Sequence, residues 1–507
     1  MQYHDDIKRL HNRRTALESE RSSWVPTWRE IGEHFIPRNG RYSLGQDKSR
    51  GQRKDRKILN NTTTRAVRTC SAGFHSGMSS PGKPWFRLKT QARLLKSSRV
   101  RKYLRDVEQA LRDLFSASNL YRVLPQIYTE MAAFGTAAAL IDKNLRKDGK
   151  ITGDLADVIH FTMLSIGTYS LGTDGRGRLA TCYRDVEMTV EQMVDTYGID
   201  KVSDKIRTAY ERHDYDTKHQ VVLAIEPRRK RTEGSPLATD MEFRSVAFEL
   251  GCTDGSLLRD SGYRTFPGFA ARWDVLVDDA YGSGPGMDAI GDARELQKKE
   301  LRMGQVIDLK TRPPLQAPAS LKNADSDLLP GGVTYYTATS ANDGIRTAFE
   351  VNLPLPDLGL EINRTERRIE QAFYVDLFRM LENDMRSNIT AREIAERHEE
   401  KLLAVGPVVE RVENEVLRKI VDEGYQALIE ADEARVVMGM EPFLPDPPPE
   451  LEGAPLDIEF EGMLSQAVRA AEAAKLDRFL GAVGATAQLL PDVLDAVDGM
   501  GIVDTYH

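Results

Sequence analysis

The segment Gly77-Met78-Ser79-Ser80-Pro81-Gly82-Lys83-Pro84 comes nearest in this chain to a chemical signature. It follows the phosphate-binding pattern Gly-x-x-x-x-Gly-Lys-Ser/Thr up to the last position. There a hydroxyl is needed to ligate magnesium, and Pro84 has none. The order of elements is also reversed. A phosphate loop leaves a strand and opens a helix, whereas this segment leaves a helical pattern (Thr62 to Met78) and enters Trp85-Phe86-Arg87-Leu88, which reads as a strand. Nucleotide binding is therefore not expected. Asp457, Glu459 and Glu461 are of the type that hard cations take, but alternation along one exposed strand face explains them more simply. Asp278-Asp279 reads as a turn before a cation site. Gly282, Gly284 and Gly286 crowd one loop, yet Pro285 breaks any dinucleotide fingerprint, and the loop reads as a hinge. The nine histidines are scattered, with no His-Glu-x-x-His pair, and no Gly-x-Ser-x-Gly elbow occurs. No catalytic residue, cofactor site or metal site is expected, and the weight falls on a structural role.

Composition narrows the class. A chain of 507 residues is enough for about two to four domains. With 40% hydrophobic and 29% charged residues it reads as soluble and globular, and no stretch approaches the ~20 apolar residues of a membrane helix. The polar start Met1-Gln2-Tyr3-His4-Asp5-Asp6 has no apolar signal core, and three scattered cysteines (Cys70, Cys182, Cys252) build no disulfide framework, so a reducing cytoplasmic origin is expected. A net charge of −7 argues against a dedicated duplex-binding surface, though not against a protein that surrounds DNA and lets it slide.

The elements are organised around the stretch from Tyr281 to Thr390. After the glycine loop a long helix is predicted from Met287 to Thr311, with an imperfect apolar stripe (Ile290, Ala293, Leu296, Met303, Ile307) and Lys298, Lys299, Arg302, Lys310 and Arg312 between. Pro313-Pro314 stops it, and a segment rich in Pro, Gly and Asp follows to Pro356. A second helix is predicted from Gly359 to Leu381, with one narrow seam of Ile362, Ile369, Phe373, Leu377 and Met380, and with Arg364, Arg367 and Arg368 off it. A polar loop, Glu382 to Asn388, precedes a capping box at Thr390-Ala391-Arg392-Glu393. Two such helices make a rod of ~35 Å at ~1.5 Å per residue, whose spare faces must meet solvent or other subunits.

Before this stretch, residues 4–36 read as helix restarted at Pro26, with Arg14 and Arg21 interrupting its stripe. A basic segment spans 38–57, and a solvated loop accounts for it more simply than a phosphate contact. Helices are predicted at 62–78, 98–116 and 120–139, the last Ala-rich and suited to close packing. Strands follow at 158–164, 168–171 and 178–187, with a hairpin turn at Thr173-Asp174-Gly175-Arg176-Gly177. A capping box, Thr189 to Gln192, opens a short helix; a second spans 203–211, and strands resume at 219–226, 241–249 and 257–263. Residues 1–280 thus form one α+β domain. After Thr390 a helix is expected to kink at Gly406-Pro407 and continue through Val409, Val412, Val416 and Ile420. A Pro-rich connection (442–455), a strand (456–460), an Ala-rich helix (464–483) and a frayed end complete the chain.

These features resemble the head-to-tail connecting, or portal, proteins of short-tailed bacteriophages. The resemblance rests on Trp28 to Pro37, Trp85-Phe86-Arg87-Leu88, Gly177 to Tyr197 with a turn at Glu187-Met188-Thr189, and Tyr281-Gly282-Ser283-Gly284-Pro285-Gly286. It continues through Arg312-Pro313-Pro314-Leu315, Leu329-Pro330-Gly331, Ile369 to Leu377, and Ile389-Thr390-Ala391-Arg392-Glu393-Ile394. The loop 38–57 and the tail after Asp477 fall outside the match. The resemblance implies an α+β portal-type fold and a ring, usually of twelve subunits, at one capsid vertex of the virion, assembled in the host cytoplasm. Each subunit is expected to have a wing (1–280, completed by part of 390–430), a hinge and first stem helix (281–312) and a clip (313–358). A second stem helix (359–381), a channel loop (382–389), a kinked helix with a Pro-rich linker (390–455) and a crown (456–507) complete it.

The implied action is passive. A terminase ATPase docked on the clip drives double-stranded DNA through the ring, and adaptor and tail proteins later take its place. Major capsid and scaffolding proteins are further expected partners. Twelve copies at −7 each give walls that do not hold DNA. Expected DNA contacts are Arg386 and Asn388 in the loop, and Arg364, Arg367 and Arg368, which equally fit salt bridges between subunits. Lys298, Lys299, Arg302 and Lys310 are the basic residues of the first stem helix. Gly282, Gly284 and Gly286 are the expected hinge, and Pro313, Pro314, Leu329, Pro330 and Gly331 the expected docking residues of the clip. The competing readings are a nuclease or NTPase, and a monomeric or dimeric phage scaffold protein with a helical arm.

Overall fold

Arg14 and Arg21, the two residues that interrupt the apolar stripe of the first helix, show how that helix is seated. In the computed structural model, Arg14 donates to both oxygens of Asp185 at 3.0 and 2.8 Å, and Arg21 donates to the backbone oxygen of Tyr169 at 3.0 Å. On the same helix Leu10 and Leu17 bury against a sheet. The structure describes residues 2–317, 345–348, 354–386 and 391–471, apart from short breaks at 38, 40–57, 144–145, 148–149, 152–153, 233–234, 236, 252–256 and 277–278.

In chain order the helices are α1 (Gln2–Ser22), α2 (Val25–His34), α3 (Thr62–Met78), α4 (Ser98–Ala117), α5 (Leu120–Phe134), α6 (Val190–Tyr197), α7 (Asp204–Glu211), α8 (Pro285–Asp288), α9 (Ile290–Thr311), α10 (Leu355–Ala372), α11 (Val375–Arg386), α12 (Ala391–Val412) and α13 (Arg418–Val437). The strands are β1 (Phe86–Lys89), β2 (Thr136–Lys143), β3 (Arg146–Lys147), β4 (Lys150–Ile151), β5 (Ile159–Leu164), β6 (Tyr169–Thr173), β7 (Leu179–Thr189), β8 (Lys218–Pro227), β9 (Phe243–Glu249), β10 (Arg259–Tyr263), β11 (Gly268–Arg272), β12 (Leu315–Gln316), β13 (Arg346–Thr347) and β14 (Asp457–Phe460). The fold is α+β.

Strands β6 to β10 form an antiparallel meander ordered β10-β9-β8-β7-β6. Alternation sorts its side chains between two layers. Tyr183, Val222, Ala224, Val246 and Phe248 face α1, while Val221 and Ala247 face Val190 and Met193 of α6 and Ile206 of α7. The predicted capping box is present, with Thr189 Oγ1 accepting from Gln192 N–H and the Gln192 side chain accepting from Thr189 N–H. The β6–β7 turn is held by Asp174, whose carboxylate accepts the N–H groups of Arg176 and Arg178 and is thereby held below the usual carboxylate range. Here β7 runs on to Thr189, so the expected turn at Glu187-Met188-Thr189 is strand.

The second sheet, β11-β2-β5, corrects the expectation of a helix over 120–139. Helix α5 stops at Phe134 because Gly135, at φ 75°, caps it in the left-handed region, and the Ala run that follows is strand. Ala137, Ala138 and Ala139 are buried between β11 and β5, where small side chains let helices pack closely on the sheet. The middle strand is paired on both sides, which outweighs the helix propensity of alanine. Strand β11 itself had no signature of its own in the sequence.

The third sheet joins distant parts of the chain: β1 pairs antiparallel with β14, Phe86 opposite Phe460 and Lys89 opposite Asp457. Asp457, Glu459 and Glu461 are claimed by basic side chains there, at 2.8 Å from Arg418, 2.9 Å from Lys89 and 3.0 Å from Arg87. Residues 463–471 are helical and return onto α3 through Leu464. Pro407, where a kink is expected, lies inside α12. Helix α12 is continuous to Val412, and the helical hydrogen-bond pattern changes in a π turn, Glu413–Leu417, before α13.

Glu130 on α5 is a buried carboxyl whose one hydrogen bond among the described residues comes from Ile166 N–H at 3.3 Å. Burial pushes it up to about 8. The unfolded chain releases this proton near 4.5 and the folded chain holds it to about 8. Between these values the folded state binds more protons, so stability falls as pH rises. Glu130→Gln keeps the shape and an acceptor for Ile166. In urea unfolding from about pH 5 to about pH 9 the wild type should lose on the order of 4 kcal/mol relative to the variant. Parallel pH profiles for the two proteins would refute the assignment.

Candidate functional site

Helices α9 and α10 lie antiparallel. Lys299 reaches Glu361 at 3.4 Å and Thr365 at 3.0 Å, while Arg368 reaches back to Asp292 at 2.9 Å and Glu295 at 2.7 Å. The 22 residues of α9 span ~33 Å at ~1.5 Å per residue. It is preceded by the short helix α8, which Pro285 opens at its first turn.

Only the root of this pair is embedded. Ala293, Leu296 and Gln297 of α9 and Ile362, Thr365 and Ile369 of α10 are buried. Arg294 is tied to Glu30 of α2 at 3.2 Å. The centre of the root is a hydrogen-bond knot on the residues that precede α3. Gln297 Oε1 accepts from Leu59 N–H at 2.6 Å and Asn60 N–H at 2.9 Å, and its Nε2 donates to Asn60 O at 3.0 Å. The Asn60 side chain donates to Glu300 at 2.7 Å and Glu366 at 2.8 Å, and the Thr62 hydroxyl donates to Glu366 at 3.0 Å. The exit of the basic segment 38–57 is thus fastened to both long helices. Sequence reasoning missed this knot. Its one sequence signal is a glutamine at position 297, on the face of Ala293 and next to Leu296.

Away from the root the pair is bare. Leu301, Ile307, Leu315 and Leu360 are 53%, 42%, 46% and 64% exposed. The predicted seam is buried at Ile362, Ile369, Phe373 and Leu377, but Met380 is exposed.

The second helix of the pair is not one helix, as its periodicity predicted. It breaks at Phe373-Tyr374, where Tyr374 takes φ 54°, a left-handed conformation rare for an aromatic residue. Its ring stacks on Trp273 at 6.2 Å, and Phe373 packs on Phe35 at 5.6 Å. Aromatic burial on both sides holds the break, which neither glycine nor proline marks. Beyond it Phe378 packs on Phe74 of α3 at 5.4 Å. Helix α11 then continues through Arg386, so residues 382–386 are helical and not the loop expected from their polarity. Glu, Met and Arg are good helix formers whatever their polarity. Arg386 ends the helix, and Asn388 lies outside the described residues.

The other expected residues fall as follows. Arg368 is bonded within its own chain to α9, and Arg364 pairs with Glu361 at 2.7 Å one turn away. Arg367 is exposed with no partner among the described residues. On α9, Lys298, Arg302 and Lys310 are exposed, and Lys299 binds Glu295 at 2.7 Å. The Lys299 ammonium, with Arg368 beside it, holds the Glu295 carboxyl below its ordinary range. Gly282, Gly284 and Gly286 are buried, and each is a point of close approach where a hinge was expected. A Cβ on Gly284 would lie 2.8 Å from Gly135 Cα, and Gly286 meets the backbone oxygen of Ala133. Past α9, Pro313 is half-buried and Pro314 exposed, and β12 pairs with β13. Leu329, Pro330 and Gly331 lie outside the described residues, as does Asp278.

A rooted pair of long helices, with bare far halves and a small β-element beyond one end, is a protein built to assemble with others. The chain matches the family described as bacteriophage head to tail connecting protein over residues 7–507, and it belongs to that family, a structural one of the phage virion. It is 42% identical over 500 residues to the "Probable portal protein" of Bordetella phage BPP-1, covering 98% of this chain and 86% of the relative. It is 36% identical over 501 residues to the "Portal protein" of Salmonella phage epsilon15, again covering 98% of this chain and 86% of the relative.

Replacing Gln297 by Leu leaves the N–H groups of Leu59 and Asn60 and the Asn60 carbonyl without their partner. Chemical denaturation should show a loss of about 2–3 kcal/mol, and limited proteolysis should cut faster within 38–60. A variant with wild-type stability and wild-type cleavage would show that the knot does not hold the root.

Proposed function

We propose that this chain is the portal of its phage: it forms a closed ring at one capsid vertex and serves as the conduit for the genome in packaging and ejection. The observation that carries the ring is the bare far half of the α9–α10 pair. Three large aliphatic residues, Leu301, Ile307 and Leu360, stand exposed there on helices that no other described element covers, and Leu315 of β12 is exposed just past α9. Side-by-side packing in a ring of twelve buries such faces on neighbouring subunits.

In this reading α9 and α10 are the stem, and the segment between them, with β12 and β13, is the clip. Residues 1–280 with part of 390–430 make the wing, residues 390–455 connect it, and the crown begins near 456. Arg386 and Asn388 are the proposed contacts of the channel with DNA. Arg364 and Arg368 are engaged with carboxylates of their own chain, so Arg367, with Arg302 on α9, is left to meet phosphate or a neighbour. The chain does no chemistry of its own and takes no cofactor. A terminase docks on the clip during packaging in the host cytoplasm, and adaptor and tail proteins follow; the wing meets the major capsid and scaffolding proteins.

Light scattering of the purified chain, with negative-stain imaging, should give annular particles with a mass near twelve times 56.9 kDa. A monomer at all concentrations, with scaffold protein added, overturns the ring. Arg386→Ala should leave the rings intact and lower the yield of packaged DNA several-fold. An unchanged yield removes Arg386 from the channel's work.

A further inference from the structure

One end of the five-stranded sheet collects positive charge that the helix pair has no part in. The β6–β7 turn presents Arg176 and Arg178, exposed and in no side-chain hydrogen bond or close ion pair among the described residues, with the Asp174 carboxylate of the same turn as the one acid that acts on both. Strand β8 runs antiparallel to β7 and ends at the same side, where Arg229 and Lys230 are exposed and unpaired among the described residues. Arg264, just after β10, is exposed in the same way. Below the β6–β7 turn opens a cleft of about 640 Å³ between β11 and the π turn of residues 413–417. Its lining is mixed: Leu179 and Val275 give it a half-buried apolar part beside Arg272, Asn414 and Glu415, and Leu276 stands at its lip, 76% exposed. Within it Arg272 is neutralised by Glu415, at 2.5 and 3.2 Å, so the cations left to act on a ligand are those of the rim. A basic rim over a partly apolar cleft fits an acidic peptide with an aliphatic anchor better than it fits DNA: the cleft's phenylalanines are buried and offer no face for a base to stack on.

The chain itself carries such a peptide. Residues 441–457 contain six prolines and five carboxylates (Glu441, Asp446, Glu450, Glu452, Asp457) and no lysine or arginine. Both ends are fixed to α13. Asp432 accepts the N–H groups of Phe443 and Leu444 at 2.6 and 2.9 Å, Arg435 lies 4.0 Å over the Phe443 ring, and Arg418 holds Asp457 at 2.8 Å. Between these ends Asp446, Glu450 and Glu452 are exposed with no partner among the described residues, and Leu456 is 37% exposed. Proline holds the backbone extended before any contact, so little ordering entropy is lost on docking.

We infer that the acidic linker 441–457 of one copy docks on the basic cleft of the next, with Glu450 and Glu452 at Arg176 and Arg178. This rests on the ring reading. A ring is closed by heterologous contacts, in which two different, complementary surfaces of one chain meet on neighbouring copies. The linker and the cleft are such a pair: they do not overlap, and their charges are opposite. Being exposed, the contact weakens with salt.

The test is a charge-reversal cycle on the full chain, read by light-scattering mass against protein concentration. Arg176→Glu with Arg178→Glu, and separately Glu450→Lys with Glu452→Lys, should each raise the concentration for half-assembly about tenfold or more, and all four together should restore it to within about threefold. Each variant should keep the wild-type circular dichroism. Assembly of the single-side variants at the wild-type concentration overturns the inference. A labelled synthetic peptide of residues 441–457 supplies an arm independent of assembly, titrated onto the Glu450→Lys, Glu452→Lys chain, whose cleft is free. Binding that falls about tenfold on adding Arg176→Glu and Arg178→Glu supports the contact even if the wild type never forms a ring, an outcome that would end the ring reading alone. No peptide binding, or equal sensitivity of a labelled DNA duplex to the same changes, overturns it.

Discussion

The amide of Gln297 is the contact on which the projecting part of this molecule depends. A helix pair buried over about a third of its length has little apolar area with which to hold its direction. The root compensates with part-buried hydrogen bonds centred on the buried Gln297 side chain, whose loss would leave polar groups unpaired. Gln297 saturates two backbone N–H groups and one carbonyl before α3, and Asn60 carries the network across to both helices through Glu300 and Glu366. Three segments distant in sequence therefore share one polar centre, and moving any of them leaves unpaired groups in the other two.

The charges of the pair fit the same picture. Arg364, Arg368 and Lys299 are held by Glu361, Asp292 and Glu295, so they stiffen the helices against each other before they act on anything outside. That leaves Lys298, Arg302 and Arg367 as exposed cations without partners among the described residues of the pair. In the proposed ring, few free cations on this pair would let a polyanion slide and not stick.

Much of this was legible in the sequence wherever a period of 3.6 met a clear stop. The restart at Pro26, the cap at Thr189, the turn at Asp174 and the buried seam at Ile362, Ile369, Phe373 and Leu377 are local facts, written in adjacent residues. What failed was set from a distance. Ala137 to Ala139 are strand because β11 and β5 lie on either side, and no local pattern records that. The break at Tyr374 exists because Trp273 receives its ring, and the residue itself looks like one more seam aromatic. The polarity of 382–386 predicts a loop, although a polar helix needs only good formers and a firm start. The knot at Asn60 was invisible because its partner lies 237 residues away.

The pairing of β1 with β14 bears on how the chain comes into being. Phe86 and Phe460 face each other across a sheet of two strands, so β1 has no hydrogen-bonding neighbour until β14 has been made. At ~5–20 residues per second, the roughly 370 residues between them take on the order of 20–70 s to emerge from the ribosome. For that time an open strand edge, beside the buried pair Trp85 and Phe86, must be kept from pairing with another nascent chain. Lys89 and Arg87, which later bind Glu459 and Glu461, give that waiting edge a charge of its own. The residues that close the sheet once β14 arrives are thus the ones whose partners protect it beforehand.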